Sequence, residues 1–221
     1  MAIKFSKVEG SAKKSDVKYM NLAEGENRFR MVGDVLPRYV YWVKNGKANA
    51  AFECLAFNRD MEKFTNVEKD WVPELVEAYQ GTPRKEVKCA WAYCVQVIDR
   101  ADGKLKILNL KKKMFESIKS IANDLGDPTD PETGYDIIVE RKKTGPHAYN
   151  VEYKVFEIRM MKEKGKPMPE TDAEILANLK SIEDVIPRQA AVDQKAALDN
   201  FLSSKGDDDT SDKESIDELD V

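Results

Sequence analysis

VKCAWAYCVQVIDRADGKLKILNLKKKMFESIKSIANDLG, Val87–Gly126, carries two strand patterns, a turn and a helix pattern in direct succession. In its first part Val87, Cys89, Trp91, Tyr93, Val95 and Val97 fall on one face of an extended chain, and Lys88, Ala90, Ala92, Cys94 and Gln96 on the other. Asp102-Gly103 is a favoured two-residue hairpin turn. Lys104–Leu110 then alternates Leu105, Ile107 and Asn109 against Lys104, Lys106 and Leu108. The period changes after Leu110. Met114, Phe115, Ile118, Ile121, Ala122 and Leu125 follow the spacing of an amphipathic helix, and Gly126 is a natural stop for it.

Working outward, the turn-rich DPTDPETG leads into two more strand patterns, Tyr135–Arg141 and Ala148–Ile158, joined by a basic Thr-Gly-Pro turn. Upstream, Asn27–Gly33 and Pro37–Lys44 read as strands, and Asn45-Gly46 predicts a hairpin that returns through Ala48–Phe57. Pro73 near the start and Gly81 after the end bracket a short helix through Tyr79. Strands, one helix, then a final strand pair is the chain order of an OB-fold. The expected fold is mainly β with flanking helices: an OB-fold-like five-stranded antiparallel barrel with insertions. Residues 1–26 form a basic N-terminal arm carrying Lys4, Lys7, Lys13, Lys14 and Lys18. The core spans 27–160, with 58–86 as an insertion. A linker and C-terminal helices fill 161–205, with Thr171 as the N-cap of a helix ended by Pro187. An acidic disordered tail occupies 206–221.

Charge divides along these lines. Of the 16 residues Gly206–Val221, eight are acidic and one is lysine. Without them 35 basic and 32 acidic residues remain, so a mildly basic body (+3) carries a strongly acidic appendage that brings the whole chain to −4. Such asymmetry points to a nucleic-acid or partner role. No run approaches 18 apolar residues and the N-terminus has no apolar signal region, so a cytoplasmic protein without membrane association is expected. Three cysteines argue against a disulfide framework.

Cations and rings interleave along the predicted core. Arg28 and Arg30 flank Phe29. Arg38, Tyr39, Tyr41, Trp42 and Lys44 share one strand. Arg59, Lys63, Phe64, Lys69 and Trp71 decorate the insertion. Two basic runs follow, Lys111, Lys112 and Lys113 at the helix start and Arg141, Lys142 and Lys143 in the last hairpin. Lysines opening a helix oppose its dipole, which phosphate contact would justify. Single-stranded nucleic acid needs both elements, cations for phosphates and rings on which splayed bases stack. Trp91 reads instead as core, because its strand face is otherwise apolar. Cys54, Cys89, Cys94 and His147 lack zinc-ligand spacing and read as structural, so no metal and no cofactor is expected. The chain has one histidine and no nucleotide-binding or hydrolase motif, and nothing in the spacing of Asp34, Asp60 or Asp99 supports a two-metal nuclease. A non-enzymatic binder is expected. A metal-dependent nuclease and an acidic-tailed interaction module without nucleic-acid affinity are the alternatives.

The segment Leu110–Val155 joins an aliphatic strand, a Lys-rich helix, an acidic Gly-containing loop and a strand pair. With the acidic tail, it resembles the helix-destabilising single-stranded-DNA-binding proteins of tailed phages, the gene 32 type. The resemblance implies an OB-fold body that coats single strands during phage replication, recombination and repair, and cooperative self-association, loosely matched by the Lys13-Lys14-Ser15 arm. It also implies a tail that recruits polymerase, helicase or its loader, and recombinase. Here Asp207, Asp208, Asp209, Asp217, Glu218 and Asp220 would dock those partners and gate DNA access. The family's zinc ribbon has no counterpart between Phe52 and Trp91, so a zinc-less relative is expected.

Overall fold

The computed structural model describes residues 18–65, 67–147, 150–156 and 170–204. One long strand organises it. β1 (Gly25–Leu36) pairs on one side with β7 (Cys94–Asp99) and on the other with β9 (Asp136–Lys143), both antiparallel. β8 (Leu105–Asn109) extends the sheet beyond β7, and β10 (Val151–Val155) extends it beyond β9, giving the order β10-β9-β1-β7-β8. Along the chain these five strands come as β1, β7, β8, then α2 (Lys112–Leu125), then β9 and β10. The helix therefore falls between the third and fourth strands, as the sequence predicts. The pairings among the described residues make an open five-stranded antiparallel sheet.

The region between β1 and β7 forms a second layer. β2 (Tyr39–Asn45) pairs with β3 (Ala48–Glu53) through the Asn45-Gly46 turn, and on its other edge with β6 (Ala90–Trp91). β4 (Phe57–Asn58) and β5 (Lys63–Phe64) make a two-residue hairpin, and α1 (Val72–Gln80) follows, closed by Gly81 in the left-handed conformation. The predicted single strand Val87–Asp99 is two strands in two sheets. It leaves β2 after Trp91 and joins β1 at Cys94, with the Ala92 amide donating to the Arg38 carbonyl at the crossing. Similarly, Ala48–Phe57 divides at Cys54 into β3 and β4.

Alternation decides where the core sits. Phe29, Met31, Val95, Val97, Leu108, Ile137 and Val139 face inward, where they meet Met114, Ile118 and Ile121 of α2, Tyr41, Val43 and Phe52 of the second layer, and Val72, Leu75 and Val76 of α1. The other face of the sheet is also covered. Leu36, Cys94 and Ile107 pack against Ile182, and Gln96 donates to the Lys180 carbonyl at 2.8 Å. This double burial explains why all six residues of β7 are buried. Gly33 marks the bulge where the β1–β7 register shifts; its φ is +68°, and a Cβ there would lie 3.0 Å from Leu179.

The expected helix from Thr171 is two short ones, α3 (Glu170–Ala177) and α4 (Ile182–Val185), and Thr171 lies inside α3 rather than capping it. The chain breaks at Asn178, whose side chain turns back to the Glu174 carbonyl, and restarts at Ser181, whose hydroxyl accepts from the Glu183 amide. Asp172 is fully buried in a two-pronged ion pair with Arg100, which also grips Asp136. α5 (Ala191–Ser203) packs on α1 and places Leu198 and Leu202 in the core. Lys18–Met20, within the expected arm of residues 1–26, run beside β8, Met20 is buried, and the arm's last two residues already belong to β1. No helix of the described residues is long and apolar enough to cross a membrane.

Candidate nucleic-acid interface

Six aromatic side chains from four separate stretches form one connected ladder. Tyr39, at the start of β2, touches Phe57 of β4 (4.8 Å between centroids), Phe64 of β5 (5.1 Å) and Trp91 of β6 (6.0 Å). Trp91 stacks on Tyr93 at 3.6 Å and 19°, and both meet Phe115 of α2 at 5.5 and 5.6 Å. The β2–β6 register causes this, because it sets Tyr39 directly opposite Trp91. The i, i+2 spacing of Trp91 and Tyr93 then turns the second ring to the same side. Phe57 and Tyr93 are buried and anchor the ladder; Tyr39, Trp91 and Phe115 are half-buried, and Phe64 is exposed.

Cations join at the Phe115 end. Lys111 precedes α2, and its ammonium lies 4.7 Å above the ring of Tyr153 on β10. Tyr153 stands directly opposite Arg141 on β9, and Val151 opposite Lys143, so Arg141 and Lys143 share the Tyr153 face. Lys112 and Lys113 are exposed on the first turn of α2, which has no acidic residue. At the other end Lys63 is exposed beside Phe64. The phenols stay neutral. Burial raises Tyr39, with smaller effects of Cys89 and Glu62, and burial followed by the hydrogen bond to Glu62 raises Tyr93.

Of the residues selected in the sequence, Tyr39 and Phe64 meet in the ring ladder with Lys63 next to Phe64, Lys111, Arg141 and Lys143 gather about Tyr153, Lys112 and Lys113 are exposed on the first turn of α2, and Lys142 points to the opposite face of β9. Arg38 is half-buried at the strand crossing, bonded to the Ala92 carbonyl and to Asn109. Other selected residues are committed elsewhere. Arg30 is 5% exposed and binds the carbonyls of Asp130, Pro131 and Gly134, bracing the loop before β9. Arg28, also on the sheet face opposite Phe29, pairs with Asp136. Arg59 is buried against Glu53. Tyr41 is buried with its hydroxyl on Asp70, and Trp42 points to the other side of β2. Lys44 is exposed near the β2–β3 turn, and Trp71 lies under Lys69. The tail residues Asp207–Asp220 and the Lys13-Lys14-Ser15 segment lie outside the described residues.

Sequence reasoning assigned Trp91 to the core and passed over Phe115 and Tyr153. Each carries an apolar signature at core spacing; what separates them is position, Trp91 at the end of β6, Phe115 in the first turn of α2 and Tyr153 on the edge strand β10. Among the described residues no cluster of three or more His, Cys, Asp or Glu side chains could hold a metal ion. The three cysteines are unpaired as thiols, and Cys54 donates to Asp70 beside Tyr41.

No protein-family model matches the chain. No solved structure matches it. It is similar to a probable ssDNA-binding protein of Escherichia phage T5, with 31% identity over 217 residues, covering 86% of this chain and 82% of that protein. At that identity and coverage, the chain belongs to the family of phage single-stranded-DNA-binding proteins.

Proposed function

We propose that this protein binds single-stranded DNA without sequence preference, holding bases on the ladder Phe64–Tyr39–Trp91–Phe115 and phosphates with Lys63, Lys111, Lys112, Arg141 and Lys143. One observation carries the reading: the ladder ends at Phe115, one helical turn from Lys111, whose ammonium lies over Tyr153 opposite Arg141. Stacking platforms flanked by cations are what an unpaired strand requires, and each stacked base contributes about 1–3 kcal/mol whatever its identity. Topology supports the same face. Taking β1, β7, β8, β9 and β10 as the five strands of an OB fold, the 37–93 region is the loop between the first and second, and Thr144–Asn150 the loop between the fourth and fifth. These are the loops with which OB folds bind oligonucleotides. Closure of the sheet into a barrel between β8 and β10 belongs to this proposal.

In the cell the protein would coat and protect single strands in the host cytoplasm during phage replication, recombination and repair, with no catalysis of its own. The acidic tail is a tethered polyanion. The residues after Ser204, extended at about 3.3 Å each, reach across a domain of this size. At the roughly millimolar effective concentration of a tethered segment, they compete with DNA for the cationic end of the ladder. DNA displaces them and frees Asp207–Asp220 for replication and recombination proteins. The reading is tested by tryptophan-fluorescence titration with oligo(dT) and with a blunt duplex. The expected result is quenching by the single strand that weakens steeply with salt, with duplex binding far weaker. Equal affinity for both, or no affinity for either, refutes it, and consumption of the strand when Mg²⁺ is added would make the protein a nuclease.

A further inference from the structure

Outside the ladder's half-buried rings, the β4–β5 hairpin is the most unusual feature of the molecule. Its strands are only two residues each, yet it exposes Met61 (55%) in its turn and Phe64 (56%) on its returning strand, next to the exposed Lys63. Its outgoing arm is fixed to the body by buried Phe57 and by the Arg59–Glu53 ion pair. Between them Glu62 adopts φ +49°, the one positive φ of a non-glycine residue among the described residues. A side chain in that conformation is strained and persists only where its surroundings hold it. Here the holder is Tyr93, whose hydroxyl donates to the Glu62 carboxylate at 2.6 Å. Tyr93 is itself stacked on Trp91. The strained residue is therefore fastened to the floor of the proposed DNA site.

We infer that residues 57–64 are a finger that presents Phe64, the outermost rung of the ladder, to an unpaired base, and that the Tyr93–Glu62 hydrogen bond is the latch that holds it in position. This rests on the reading of the ladder as the single-strand site. Phe64 meets Tyr39 and Phe57 edge-on, at 64° and 60°, so neither neighbour stacks over its faces. An exposed apolar ring on which no neighbouring ring stacks, with a lysine next to it in the chain, suits one base and its phosphate. Bases within a duplex have no free face to offer, so the finger acts on single strands alone. Glu62 touches no nucleotide in this scheme; it is a positioning residue, and pre-positioning acts on the rate at which the strand leaves.

The test uses the full chain and oligo(dT), with dissociation followed by stopped-flow tryptophan fluorescence. Phe64→Ala, at an exposed position, should speed dissociation roughly 5- to 100-fold, the loss of one stacked base. It should leave the salt slope unchanged, because no charge is removed, and duplex binding unchanged. Tyr93→Phe should speed dissociation about 3- to 10-fold through loss of pre-positioning. Adding Glu62→Ala to it should speed dissociation no further, since both remove one bond, while Glu62→Gln alone, which still accepts from the Tyr93 hydroxyl, should keep most of the parent rate. Lys111→Gln distinguishes the two levels of the argument. If it reduces the salt slope while Phe64→Ala dissociates like the parent, the Tyr39–Trp91–Phe115 part of the ladder stands and the finger does not. If neither variant changes binding, the site itself is elsewhere and the inference falls with it.

Discussion

Removing three cations from one end of the ladder gives the sharpest quantitative expectation. Lys111 lies over Tyr153, Lys112 is exposed on the first turn of α2, and Lys143 shares the face of Arg141 on β9. Each phosphate neutralised on a single strand contributes about 0.7 to the slope of log affinity against log salt. The variant Lys111→Gln/Lys112→Gln/Lys143→Gln should therefore lower that slope by about 2. Over a roughly fourfold rise in salt it should lose about 20-fold less affinity than the parent, because fewer counterions are displaced. Lys112 and Lys143 are exposed, so their replacement should barely move the thermal midpoint. The assay is oligo(dT) titration at several salt concentrations by tryptophan quenching. Arg28→Gln is the control: it sits on the opposite face of the sheet, bound to Asp136, and should leave the slope as it is. If the triple variant keeps the parent slope, or if Arg28→Gln lowers it equally, the assignment of phosphates to this end is wrong.

Three further expectations follow from other parts of the molecule. Deleting Gly206–Val221 should tighten oligo(dT) binding, most at low salt where the tail competes best; unchanged affinity would end the gating idea. Asp172→Ala removes a fully buried carboxylate from Arg100 and should destabilise the fold by about 3–5 kcal/mol in urea unfolding; a loss under about 1 kcal/mol would mean that the C-terminal segment is not fastened there. The Arg100 and Arg28 guanidiniums outweigh burial and hold the Asp136 carboxyl below its usual range. Its contribution to stability is therefore complete above about pH 4 and is lost as pH falls through the lowered value. Urea midpoints taken from pH 7 down to pH 3 should fall less steeply at the acid end in Asp136→Asn than in the parent.

Much of the sheet was legible because its strands alternate and its turns have strict chemistry. Asp102-Gly103 and Asn45-Gly46 make the hairpins they announce, and α2 starts and stops within one residue of the range its apolar period implies. Val87–Asp99 misled because alternation records only which residues are buried. Strand β7 is covered on both faces, one of them by residues near Ile182 that lie far along the chain, so a break between two sheets left no trace in the pattern. The cations were hardest to place. Arg30 and Lys111 look alike in a sequence. What separates them is that Arg30 faces loop carbonyls on a covered side of β1, whereas Lys111 stands at the start of α2 over the half-buried ring of Tyr153. Likewise Trp91 and Phe115 have the spacing of core residues, and only the meeting of β6 with α2 shows that they continue out of the core as one ladder.

The central claim is that unpaired bases lie on the ladder. Photo-crosslinking of an oligonucleotide carrying 5-iodo-deoxyuridine, followed by peptide mass spectrometry, tests it directly. Crosslinks at Tyr39, Trp91, Phe115 or Tyr153 are the predicted result. Crosslinks confined to Trp42, Trp71 or the Arg28 face of the sheet would contradict the account.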